Sequence, residues 1–155
     1  MTAKTSMTDT PRKAIPARDG FPHFATIPSR WADNDVYGHI NNAVYYFYFD
    51  TAVNRYLIDH AGLVIAGSKT VGIVVETGCR YHKSFTYPED IEAGVRVVKL
   101  GSSSVRYEIG LFGAGEALAR ADGHFVHVYV DRATMRPVPI PTQTRAALER
   151  ILVRS

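Results

Sequence analysis

The chain of 155 residues holds a single cysteine, Cys79, so it can form no internal disulfide, which fits a reducing compartment such as the cytoplasm. No run of about eighteen apolar residues is free of charge, and no membrane span is expected. Residues 1–20, MTAKTSMTDTPRKAIPARDG, lack the apolar core of a secretory signal, and two aspartates argue against a transit peptide. With two prolines and little hydrophobicity they are expected to form a disordered tail, followed by one domain over 21–155.

Several chemical signatures are missing as well. DNDVYG begins like a calcium loop, but its fifth position is Tyr37 and its twelfth is Val44 rather than a glutamate. GAGEAL at 113–118 has Leu118 where a dinucleotide fingerprint needs its third glycine. GSSS at 101–104 lacks the glycine that follows a nucleophilic serine. His124 and His127 fall on opposite faces of one strand and cannot share a zinc ion. Cys79, in an apolar strand, reads as a buried inert thiol. No metal and no cofactor is expected.

Positive charge is scarce where a nucleic-acid surface would need it. The sequence pI is about 9.1, but each end carries an excess of two positive charges, which leaves the body slightly acidic. No nucleic-acid partner is expected.

What the chain has is a long apolar helix beside alternating strands. Residues 43–58, AVYYFYFDTAVNRYLI, place Asp50, Thr51, Asn54 and Arg55, with Asp59 just beyond, at three- and four-residue spacing. These form one narrow polar stripe on a helix apolar over the rest of its circumference. Such a helix needs burial on most sides. Gly62 is the expected C′ residue that ends it. Strands are predicted over 70–85, 91–100, 104–112 and 116–131, with a bulge at Gly123. A first strand over 24–31 is confined to an edge or a bulge by Pro28, and a short amphipathic helix closes the chain after residue 141. The turns between strands are short, so the strands pair as antiparallel hairpins. The fold class is α+β, with the sheet curled around the long helix.

The densest polar cluster, RWADNDVYGHINN, runs straight into that helix. A cap from Asn41 or Asn42 would satisfy the helix end. It would not explain Asp33, Asp35 and His39 in the same loop.

DNDVYGHINNAVYY resembles the D-x-D-x-x-G-H-x-N-N-x-x-Y motif of hotdog-fold acyl thioesterases, most closely the 4-hydroxybenzoyl-CoA thioesterase-like group. Acyl-carrier-protein thioesterases share a similar string, although they often carry asparagine where this chain has Tyr37. The resemblance extends from residue 24 to about residue 141. It implies a hotdog fold and hydrolysis of an acyl-CoA thioester. It makes Asp35 the catalytic carboxylate, as nucleophile or as base for water, and the backbone N–H of Asn42 the group that polarises the carbonyl. His39 would orient Asp35 or bind the acyl group. Asn41 and Tyr45 complete the motif beside the substrate. Arg80, Lys83 and Arg106 are candidates for the coenzyme A phosphates, and Glu76 is the nearest acid on the following strand. The resemblance also implies a homodimer or homotetramer with its site between subunits. Two alternatives stay open at this point: a non-catalytic acyl-CoA or protein-binding module, and a hotdog dehydratase or hydratase.

Overall fold

The computed structural model describes residues 13–64 and 66–154. A short edge strand, β1 (His23–Pro28), precedes the long helix α1 (Val44–His60). Four strands follow: β2 (Thr70–Tyr81), β3 (Asp90–Leu100), β4 (Ser104–Phe112) and β5 (Ala121–Asp131). The helix α2 (Thr142–Glu149) comes last. All strand pairs are antiparallel, and the sheet order is β1-β3-β4-β5-β2. This is the hotdog fold: a curved sheet around α1.

Alternation decides what faces the helix. Ala93, Val95 and Val97 of β3 and Val105, Tyr107 and Ile109 of β4 are all buried beneath α1. From α1 itself, Tyr45, Tyr48, Phe49, Ala52, Val53, Tyr56 and Leu57 are buried. Full burial of one such side chain, Phe49 for example, contributes roughly 1.5–3 kcal/mol. Asp50, Thr51, Arg55 and Asp59 are exposed and Asn54 partly so, as the stripe required, but Phe47 and Ile58 share their face at 67% and 45% exposure.

Several sequence expectations need correction. No bulge sits at Gly123. A Cβ there would fall 2.2 Å from the Gly78 carbonyl oxygen and 2.5 Å from the Phe49 ring, so glycine lets helix and sheet approach. The register shift lies instead between Val74 and Glu76 on β2. β2 ends at Tyr81 rather than residue 85, because the N–H groups of His82 and Lys83 both turn to the Arg120 carbonyl. β5 begins at Ala121 rather than residue 116. Pro28 does end an edge strand, opposite Asp90, and Gly62 does take a positive φ of 64° behind α1.

The tail also differs from expectation. Residues 13–20 pack on the sheet. Ala17 bridges to Leu118, and Arg18 pairs with Glu92 at 3.1 Å while its guanidinium lies 5.1 Å from the Phe24 ring and 5.0 Å from the Phe112 ring. Composition concealed this because the partners of this segment, such as Glu92 for Arg18 and Glu108 for Lys13, are distant in sequence. Residues 1–12, the rest of the expected tail, lie outside the described residues.

Candidate active site

The loop before α1 is built from two aspartates with different surroundings. Asp33 is 1% exposed. Its carboxylate accepts the Arg30 backbone N–H at 2.9 Å, the Arg30 guanidinium at 3.0 and 2.8 Å, and the Tyr48 hydroxyl at 2.8 Å. Burial opposes its charge, but these four donors outweigh burial and hold its carboxyl below the usual range. Burial, together with this bond, pushes the Tyr48 hydroxyl far above its ordinary value. Asp33 therefore ties the loop to the second turn of α1.

Asp35 is half-buried and far less committed. Its backbone N–H meets the His39 carbonyl at 2.8 Å, and its Oδ1 accepts the Tyr37 N–H at 2.8 Å. Residues 34–40 form a tight reversal closed by an Asn34–Ile40 bridge. Gly38, at φ 82°, supplies the left-handed turn. The Thr86 hydroxyl bonds the Gly38 carbonyl, and the Ile40 N–H bonds the Phe85 carbonyl at 2.9 Å, so the reversal is pinned to the segment after β2.

Asn41 shapes the turn into the helix. Its side-chain oxygen accepts the Ala43 N–H at 2.9 Å and its carbonyl accepts the Val44 N–H at 2.9 Å. The Asn42 carbonyl accepts the Tyr81 hydroxyl at 2.8 Å, and among the described residues nothing accepts the Asn42 N–H. Asp35 and Asn42 line one shallow groove of about 460 Å³, with Ile40, Tyr45, Tyr81, His82, Lys83 and Ser84. A free N–H at the head of a seventeen-residue helix is a fixed donor aided by the helix dipole.

Four expected site residues thus meet in one groove: Asp35, Asn42, Tyr45 and Lys83. Asn41 stands behind it as a turn former. The exposed side chain of His39 makes no hydrogen bond among the described residues, and the residue meets Asp35 through its backbone. Arg80 and Arg106 lie elsewhere. They line a separate groove on the outer face of the sheet with His124, and Arg80 is held by Asp122 at 3.0 Å and by the Lys13 and Ala14 carbonyls. Strand alternation explains the split, since Tyr81 faces the helix and Arg80 faces away. Glu76 is also turned outward, 3.1 Å from His124, so it supplies no second acid beside Asp35. Tyr81 was missed in the sequence, although it shares a strand face with Cys79 and could have been found from that alternation. Burial pushes the Cys79 thiol up to about 11, which keeps it protonated. Among the described residues no group of three His, Cys, Asp or Glu could hold a metal ion, and no helix is long and apolar enough to cross a membrane.

The fold is the hotdog fold, and comparison with known proteins places the chain among thioester hydrolases. The profile of the Thioesterase-like superfamily matches residues 29–148, and the chain belongs to that family. The solved structure of the PA5185 protein from Pseudomonas aeruginosa strain PAO1 is similar at 49% identity, covering 90% of this chain and 97% of that one, with a TM-score of 0.88. PA2801, a candidate thioesterase of Pseudomonas aeruginosa, is 30% identical over 83% of this chain and 98% of its own, with a TM-score of 0.76. DHNA-CoA thioesterase from Staphylococcus aureus shares the fold at 21% identity, covering 84% of this chain and 96% of that one, with a TM-score of 0.73. No curated protein matches the sequence.

Proposed function

We propose that the protein hydrolyses an acyl-CoA thioester to free acid and CoA, with Asp35 as the catalytic carboxylate. The observation that carries this reading is the shared groove of Asp35 and Asn42, where a lightly bonded carboxylate meets an unpartnered helix-end N–H. The thioester oxygen sits against that N–H, which stabilises the negative charge developing there. Asp35 either takes a proton from a water that attacks the thioester carbon, or attacks that carbon itself to form a mixed anhydride that water then cleaves to the free acid and Asp35. The thiolate leaves as CoA. Tyr81 fixes the Asn42 peptide through its carbonyl, and Lys83, exposed at the rim, is the cation best situated for a CoA phosphate. Arg80 and Arg106, on the outer face, serve that role only for a substrate that wraps around the edge of the sheet.

The reading includes a homodimer, itself able to pair into a tetramer. β2 is an edge strand of twelve residues whose Val74 and Val75 are 45% and 55% exposed. A long apolar edge of this kind needs a partner, and self-pairing gives a closed dimer. Release of free thiol from a panel of acyl-CoAs and one acyl-carrier-protein substrate tests the proposal. Turnover of at least one acyl-CoA, faster than of the carrier protein, is the expected result. No thiol release from any substrate would overturn it.

A further inference from the structure

The reversal that carries Asp35 hangs from residues 85–87. The Ile40 N–H bonds the Phe85 carbonyl at 2.9 Å, the Thr86 hydroxyl bonds the Gly38 carbonyl, and the Tyr87 N–H donates to Asn34 Oδ1 at 3.1 Å. These contacts flank Asp35 on both sides in sequence. Whatever fixes residues 84–89 therefore fixes the carboxylate.

One buried cation does so. Arg120, in the bend that leads into β5, has a side chain only 11% exposed. Its guanidinium carbon lies 4.7 Å from the centre of the Phe85 ring. The group donates to the Ser84 carbonyl at 3.1 Å and pairs with Glu89 at 2.9 Å. The Glu89 carboxylate in turn accepts the Thr86 N–H at 2.8 Å. The remaining donors form a two-point contact with Glu116, at 2.8 and 2.6 Å. A guanidinium suits this position because its donors lie in one rigid plane and its face stacks on a ring. Lysine would keep the charge and lose that geometry.

We propose that Arg120 is a positioning residue for the reaction: through residues 84–89 it fixes the reversal that aims the Asp35 carboxylate at a thioester held by the Asn42 N–H. The inference rests on the thioesterase reading above. Arg120 does not line the Asp35 groove, so its effect passes through Ser84, Phe85 and Thr86. The bonds from the His82 and Lys83 N–H groups, at 2.8 and 3.0 Å, go to the Arg120 carbonyl and survive a change of its side chain. The Lys83 rim is thereby kept, and with it the hold on substrate. The cost of losing the guanidinium falls on kcat.

Arg120→Lys tests this, with Arg96→Lys as its control. Arg96 is similarly buried, pairs with Glu108 at 2.8 Å and stacks on Phe21, but makes no hydrogen bond to residues 34–40 or 84–89 among the described residues. At a temperature where each variant is native, Arg120→Lys should lose about ten- to a hundredfold in kcat on acyl-CoA with KM changed by no more than about threefold, since a reacting group misplaced by about 1 Å costs that much. Arg96→Lys should keep both constants. Glu89→Gln, which keeps the arginine and weakens its grip on Thr86, is the milder variant and should show the same pattern in smaller degree. Thr86→Val should also lower kcat, and its effect should be less than additive with that of Arg120→Lys. Amide hydrogen exchange reads the same device without substrate. The Asp35, Gly38 and Ile40 N–H groups should lose protection in Arg120→Lys and Glu89→Gln, while those of His82 and Lys83 keep theirs. Wild-type kcat per folded molecule in both variants, or unchanged exchange at the three amides, would overturn the inference and leave the thioesterase reading standing. A wild-type protein inert toward every thioester would overturn that reading, and the exchange measurement would still decide whether Arg120 holds the reversal.

Discussion

Asp33 and Asp35 stand two residues apart in one loop, and their carboxylates are bonded very differently. Asp33 accepts four hydrogen bonds and is 1% exposed, whereas Asp35 is half-buried and its carboxylate accepts one backbone N–H. The saturated carboxylate has no capacity left for a substrate, so its value is structural. The lightly bonded one keeps lone pairs free, as its proposed catalytic role requires. A shared residue type in a shared motif therefore says little about role, and the count of satisfied partners says much.

The contrast is broken most sharply by Asp35→Asn. Turnover should fall about a thousandfold, within the range for losing a positioned general base, while the melting temperature holds. Steady-state thiol release beside a thermal melt checks both halves. Asp33→Asn should do the reverse and cost about 1–3 kcal/mol of stability, because Arg30 and Tyr48 lose a charged acceptor, with Arg30 largely exposed and its share screened. Denaturant unfolding measures it.

The Asp33 carboxyl is depressed in the folded state, so its contribution is present above the unfolded carboxylate value near pH 4 and is lost as pH falls through the lower folded value. Wild-type stability should therefore drop below about pH 4, and Asp33→Asn should lack that part of the drop. Next in size is His39→Ala. Its side chain makes no hydrogen bond to Asp35 among the described residues, so a loss of about tenfold in kcat/KM is expected rather than the collapse predicted for the aspartate variant. The smallest effect belongs to Tyr81→Phe. Removing one hydroxyl from the Asn42 carbonyl should slow turnover by about two- to fivefold, in line with one ordinary hydrogen bond. A Tyr81→Phe variant as damaged as Asp35→Asn would mean that the helix-end peptide, not the carboxylate, dominates the reaction.

Much of this was legible in the residues. Polar spacing gave α1 its exposed stripe, alternation gave the strands, and the motif brought Asp35, Asn42 and Tyr45 to one groove. Other features depend on contacts distant in sequence. Gly123 read as a bulge because a glycine in a strand has two common causes, and only the Phe49 ring above it distinguishes them. Arg80 and Lys83 read alike as cations, yet the strand ends between them and sends them to different faces. Arg18 was hidden in a stretch whose composition is that of a tail, since its partners Glu92, Phe24 and Phe112 lie on three different strands. A cavity lined in part by His127 draws on both helices, two strands and a loop, and no local pattern announces it.

The most direct test sets the two aspartate variants side by side with wild type, measuring acyl-CoA hydrolysis per folded molecule at a temperature where all three remain native. Asp35→Asn should retain about a thousandth of wild-type turnover, and Asp33→Asn should retain most of it despite its lower melting temperature. If Asp35→Asn kept more than a tenth of the activity, or if folded Asp33→Asn proved the dead enzyme, the division of labour between the two carboxylates would be wrong.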